Sequence, residues 1–143
     1  MKDGWQVKIS VVAVSASFWV TSVLINNRLF AGASHAPGID VIFIPSGVRL
    51  IAIMIGGIWA ATGISLGSVY LTGPEFGLAD PLTIMGISAW SGFAPFVSLV
   101  ITMRLMGVSF SLQRLAPAHL PVISLGVAVG SSLLHNLLFS ILG

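Results

Sequence analysis

Apolar runs separated by short breaks of polar residues, glycine and proline occupy nearly the whole chain of 143 residues. The first run, Ile9 to Ile25, has Lys2 and Lys8 before it and Asn26, Asn27 and Arg28 after it. About 20 apolar residues in a helix cross a hydrocarbon layer roughly 30 Å thick, so residues 9–27 read as a first span. A secretory leader cut after Ala31-Gly32-Ala33 is the rival reading. The apolar stretch is longer than a usual leader core, and Asn26 to Arg28 separate it from that site.

Residues 31–40 are turn-formers and read as a loop. The stretch from Val41 to Thr72 is interrupted by Pro45, Ser46-Gly47, Arg49 and Gly56-Gly57. Two adjacent glycines are costly inside a helix and cheap in a turn. The stretch reads as one long tilted helix or as two short ones that turn at the pair; two short helices, 41–57 and 58–72, are the expectation, as two spans or as a re-entrant pair. Gly73 to Pro81 reads as a second loop. Leu82 to Met106 reads as a clear span that Pro95 kinks. Residues 107–121 form a third, interfacial connection in which Phe110, Leu112 and Leu115 alternate with polar residues. Residues 120–142 are the last span. The expectation is one all-α domain, a polytopic transmembrane helix bundle of about five helices over spans 9–27, 41–57, 58–72, 82–106 and 120–142.

Composition makes the membrane reading firm. Hydrophobic residues are 56% of the chain and charged residues 7%, with a mean hydropathy of +1.05. Soluble domains carry about 25% charged residues. Six basic and four acidic side chains cannot cover a water-facing surface of this size. The formal charge of +2 comes from scattered groups, so no phosphate-tracking patch and no nucleic-acid partner is expected. The absence of cysteine removes disulfides, thiolate metal sites and cysteine nucleophiles.

Charge placement sets the expected orientation. With five spans and a cytoplasmic N-terminus, Lys2, Lys8, Arg104 and Arg114 face the cytoplasm. Arg28 then lies outside with Asp40, Glu75 and Asp80. With four spans the count becomes two basic residues inside against three outside. The excess of Lys and Arg in cytoplasmic loops favours five spans, in a bacterial inner membrane.

Candidate chemistry is sparse. Arg49 stands inside an apolar stretch, where a charge costs at least about 2.5–3.5 kcal/mol and faces a bundle interior or a wet cavity. Free N–H groups where a helix starts after Pro45 would help it hold an anion. The structural alternative is that Arg49 snorkels to the interface or pairs with Asp40. Ser46 and Trp59 complete the expected ligand-binding set. Gly63 and Gly67, and Gly126 and Gly130, have the spacing that lets helices approach closely. His135 and Asn136 are expected to hydrogen-bond between helices. Trp5, Trp59, Trp90 and Tyr70 are candidate interfacial anchors. His35 and His119 offer no ligand spacing with His135, so no metal is expected. No nucleophile-and-base pair, phosphate loop or haem signature occurs, and neither a cofactor nor an enzymatic activity is expected.

The stretch Phe43-Ile44-Pro45-Ser46-Gly47-Val48-Arg49-Leu50-Ile51-Ala52, followed by Gly56-Gly57-Ile58-Trp59-Ala60-Ala61-Thr62-Gly63-Ile64-Ser65-Leu66-Gly67, resembles the MASE1 family of bacterial membrane-embedded sensory domains. The shared pattern is a proline-to-glycine turn, an apolar helix, a glycine-bounded turn and a tryptophan-containing second helix ending near Leu-Gly. Leu105-Met106-Gly107 to Leu115 and the following helix look like the family's next helix-loop-helix. The resemblance covers roughly residues 40–143. It implies a sensory or ligand-binding module that is shortened, lacks the usual cytoplasmic output domain and acts through a separate partner. The family more often has an apolar residue where Arg49 stands. An accessory structural subunit of a larger membrane complex is the second expectation, and a small substrate-binding component of a transporter the third. Partners are the lipid bilayer and other membrane proteins or further copies of the chain.

Overall fold

The computed structural model describes residues 3–30, 34–36, 39–40, 44–77, 80–109 and 115–142. Four α-helices dominate: α1 (Asp3–Leu29), α2 (Pro45–Phe76), α3 (Pro81–Leu105) and α4 (His119–Leu142). Between α1 and α2, β1 (Ser34–Ala36) and β2 (Ile39–Asp40) form a small antiparallel ladder. The expected leader site at 31–33 and the alternating segment at 110–114 lie outside the described residues.

Each helix begins or ends where its sequence supplies the chemistry. α2 and α3 open with proline, whose missing N–H has no intrahelical partner to lose in a first turn. Asp80 caps α3 by accepting from the Thr83 N–H at 2.7 Å and from the Thr83 hydroxyl. Those bonds, the hydroxyl's foremost, hold the exposed Asp80 carboxyl below its ordinary range. The loop expected from Gly73 is instead helical to Phe76. Gly77, at φ 62°, closes α2 by donating its N–H to the Gly73 carbonyl.

All four helices are long and apolar enough to cross a membrane, so the count is four and not five. The short helices expected at 41–57 and 58–72 are one element, because no loop separates them. Gly56 stays helical, and only Gly57 departs, at φ 56° and ψ −136°. That backbone region is open essentially to glycine alone.

This single residue nevertheless turns α2 back on itself. Arg49 and Ser68, both in α2, would stand about 28 Å apart on a straight helix. Here the Arg49 guanidinium lies 5.5 Å from the centre of the Trp19 ring, and Trp19 Nε1 donates to Ser68 Oγ at 2.9 Å. The first arm, 45–56, descends along α1. The Ile44 N–H just ahead of it donates to Asn26 Oδ1 at 3.1 Å, Arg49 meets Trp19, and Gly56 meets Val11. The second arm, 58–76, ascends along the same helix, with Gly63 against Val12 and Ser15, and Gly67 against Ala16 and Val20. At about 1.5 Å per residue the arms are about 18 Å and 28 Å long. The first is too short to cross the hydrocarbon unaided.

α3 runs antiparallel to the second arm, pairing Ser88 with Thr72, Ser91 with Ser68 and Gly92 with Ala61. α4 runs antiparallel to α3, with Gly126 against Thr102, Gly130 against Ser98 and the Leu134 carbonyl accepting from Trp90 Nε1 at 2.9 Å. The buried apolar centre comprises Trp19, Val23, Ile53, Ala61, Ile64, Leu99, Met103, Ile123 and Val127. The outward faces carry Ile9, Phe18, Ile55, Leu105 and Leu125, all more than half exposed. That inside-outside reversal suits a hydrocarbon solvent.

A methyl group on Gly92 would run into the Ala61 carbonyl and Ser65 Oγ, whereas one on Gly47 would meet nothing within 4 Å. Gly92→Ala is expected to destabilise the bundle by about 1–3 kcal/mol through overpacking. Gly47→Ala should be neutral or stabilising by up to about 1 kcal/mol, because alanine is the better helix former. Thermal unfolding in mild detergent, followed by circular dichroism, compares the two; equal melting temperatures would contradict the α2–α3 contact.

Candidate intramembrane cation site

The fold-back carries Arg49 into the bundle. Trp19, which it overlies, lies about 24 Å along α1, a helix about 40 Å long, so the guanidinium sits at membrane depth. Its Nη1 donates to the Ser91 carbonyl of α3 at 3.3 Å. That carbonyl is four residues before Pro95, the position whose N–H would bond to it in an unbroken α-helix. Proline has no N–H to give. Arg49 thus meets an acceptor that its own helix has left vacant.

A hydrogen-bonded chain of small polar side chains surrounds this contact. Trp19 Nε1 donates to Ser68 Oγ, and Ser68 Oγ donates to Ser91 Oγ at 3.0 Å. Ser88 Oγ donates to Thr72 Oγ1 at 3.0 Å, and Thr72 Oγ1 donates to the Ser68 carbonyl at 2.8 Å. Ser65 Oγ donates to the Ala89 carbonyl at 3.0 Å. Ser68, Thr72, Ser88 and Ser65 are buried. Among the described residues no buried side-chain nitrogen or oxygen lacks a partner. The seam between the second arm of α2 and α3 is therefore polar, closed and satisfied, as hydrocarbon demands.

Arg49 differs from its neighbours. A guanidinium presents five N–H donors in a planar fork. Ser91 supplies the single hydrogen-bond acceptor it meets among the described residues. The Trp19 ring face offers a cation–π contact of about 0.5–2 kcal/mol. Arg49 itself is half-buried rather than sealed. A partly open cation with spare donors, backed by an indole and hydroxyls, suits a carboxylate or a phosphate oxygen.

The expected ligand set is only partly assembled. Ser46 is exposed in the first turn of α2, on the arm that carries Arg49. Trp59 lies just beyond the reversal, its ring 6.0 Å from that of Trp5 at 70°. Lys8 Nζ stands 5.1 Å and 5.0 Å from the centres of those two rings. Trp59 therefore belongs to the far end of the bundle, and the indole at Arg49 is Trp19. Sequence reasoning misses Trp19 because it lies in α1; its position becomes visible only once α2 is folded back. Trp90 joins α3 to α4, while Tyr70 is 70% exposed.

The glycines stand at helix contacts: Gly63 and Gly67 against α1, Gly126 and Gly130 against α3. Gly92, absent from the expected set, makes the corresponding approach of α3 to α2. His135 and Asn136 bond within their own helix rather than across to another. His135 Nδ1 is 2.7 Å from the Ser131 carbonyl, and Asn136 Nδ2 donates to the Ser132 carbonyl at 3.0 Å. Among the described residues no group of three His, Cys, Asp or Glu side chains is placed to hold a metal. An apolar groove of about 800 Å³ lies between α1 and the first arm, lined by Val11, Val14, Phe18, Val48, Ile51 and Ile55 among others.

Trp19→Phe keeps the ring beneath Arg49 and removes the donor to Ser68. The expected loss is about 0.5–1.5 kcal/mol of stability, the usual net value of one hydrogen bond. Trp19→Leu should lose more, since the cation–π contact goes as well. Thermal unfolding in detergent measures both; a Trp19→Phe variant as labile as Trp19→Leu would contradict the separate roles of ring and N–H.

Comparison with protein-family models, with curated proteins and with solved structures gave no match to this chain.

Proposed function

We propose that this protein is a small multi-pass membrane module that binds an anionic ligand at Arg49 and conveys its occupancy to a separate partner. This is the sensory role that the MASE1-like sequence pattern implies. The observation that carries the reading is an arginine at membrane depth that stacks on Trp19, meets one hydrogen-bond acceptor among the described residues and keeps donors to spare. Such a charge is expensive to place in hydrocarbon, and sites of this kind recur where function requires them. The neighbouring reversed helix and proline-interrupted helix are features of intramembrane binding sites.

Orientation follows from the contact order of the helices. The start of α1 with Lys8, the Gly57 reversal, and the end of α3 with Arg104 lie at one end of the bundle. The end of α1 with Arg28 and the start of α3 with Asp80 lie at the other. The bias of basic residues toward the cytoplasm then supports a cytoplasmic N-terminal end in a bacterial inner membrane.

A role as accessory subunit of a larger complex has one specific support. The apolar stretches of α1 and α4 are only 17% buried, leaving two outer helices free to meet other membrane proteins. Co-elution of stoichiometric partners in mild detergent would favour it.

Two measurements test the main reading. A panel of small carboxylates, together with inorganic phosphate, is screened for a rise in melting temperature of the detergent-solubilised protein. At least one is expected to stabilise it, by about 2.7 kcal/mol at a hundredfold excess over its dissociation constant. Arg49→Leu should abolish the response. No shift with any anion, or an undiminished shift in Arg49→Leu, would refute ligand binding there. For orientation, the chain has no native cysteine, so a single introduced thiol reports alone. Asn27→Cys should react with an impermeant maleimide from outside intact cells, and Ala118→Cys only after permeabilisation; the opposite pattern reverses the assignment.

A further inference from the structure

We infer that Arg49 and Pro95 act as one unit, a clasp that holds the hinged first arm of α2 against α3. Three observations meet here. Pro95 stands inside α3 and cannot donate to the Ser91 carbonyl four residues earlier. Arg49 Nη1, from another helix, occupies that same carbonyl. The segment carrying Arg49 joins the rest of α2 through Gly57, the one non-helical residue within the element.

Each part has a distinct task. In hydrocarbon, an unsatisfied backbone carbonyl costs several kcal/mol, and water is not at hand to relieve it. A proline within a spanning helix is tolerated when a neighbouring group takes over the freed acceptor. Arg49 is that group, and the charge that is costly in lipid is partly offset by the contact. Pro95 is thus a positioning residue. It creates the acceptor, and the acceptor fixes where the guanidinium rests. Gly57 is the hinge, because it connects two helical arms through a backbone conformation that neither arm shares.

Outward from the clasp, the arm is held mainly along one face. Pro45 and Ile53 are fully buried, Leu50, Ala52 and Met54 pack against the core, and the Ile44 N–H to Asn26 contact fastens its start. On the other face Ile51 and Ile55 are exposed, and the groove between this arm and α1 is open along their flank. An anion held by the spare donors of Arg49, on the ligand-binding reading above, pulls on the same guanidinium that the Ser91 carbonyl holds. The arm would then be the element that moves.

The clasp is tested without any ligand, so its failure is separate from failure of the binding reading. Spin labels on Ile55→Cys in the first arm and Val97→Cys in α3 report their separation in lipid; both positions are exposed and the chain has no other thiol. The parent should give one narrow distance distribution. Arg49→Gln should broaden or lengthen it by several ångströms. Pro95→Ala should shift it in the same direction but less, because the restored backbone N–H shares the Ser91 carbonyl and weakens its hold on Arg49. The decisive result is the double variant, expected to resemble Arg49→Gln rather than add the two effects, since both act on one interaction. Additive changes, or a distribution that none of the substitutions alters, would overturn the clasp. Should Arg49→Gln not fold, Arg49→Lys replaces it in the same cycle, with a smaller but still non-additive effect expected.

Discussion

A backbone carbonyl in lipid must find a proton donor, and much of this bundle is arranged around that requirement. Pro95 leaves the Ser91 carbonyl without its intrahelical donor, and Arg49 supplies one from the opposing helix. The guanidinium reaches that depth because α2 reverses at Gly57. The reversal in turn lets Trp19 touch both arms of one helix, with its ring under Arg49 and its N–H on Ser68. A proline and an arginine each leave a spanning helix with a polar group to satisfy, and here the two answer each other.

Two kinds of helix contact build the rest. Glycine contacts bring backbones together: Gly63 against α1, Gly92 against α2, Gly126 and Gly130 against α3. Hydroxyl contacts join the second arm of α2 to α3 through Ser65, Ser68, Thr72, Ser88 and Ser91. Hydrophobic burial separates polar from apolar solvent but cannot choose between lipid and a neighbouring helix. Close packing and hydrogen bonds therefore carry the specificity. The seam is rigid where its donors and acceptors are matched, and Arg49 at its edge keeps donors to spare.

The membrane setting was legible from the hydropathy pattern, as were the positions of α1, α3 and α4 to within a few residues, apart from an N-terminal start of α1 that comes about six residues early. The glycine pair at 56–57 correctly marked a change of direction. It misled about the form of that change, because the single residue Gly57 makes the turn and no loop separates the two arms. Arg49 stood out by charge alone. Its partners did not, since Trp19 and Ser91 are distant in sequence and become neighbours only through the fold-back. One signal for Ser91 was present: any proline inside a helix points to a vacant acceptor four residues before it. The pairing of Trp59 with Arg49 failed for the converse reason. Ten residues of separation look close on a straight helix, but the reversal sends Trp59 to the Trp5 and Lys8 end.

The short first arm of α2 also bears on how the protein reaches the membrane. Twelve helical residues with an arginine among them do not partition into lipid by themselves. The two arms therefore need α1 as the surface against which they enter lipid together. The aromatic contacts of Trp5 and Trp59 with Lys8 seat the hairpin's tip beside the first turns of α1.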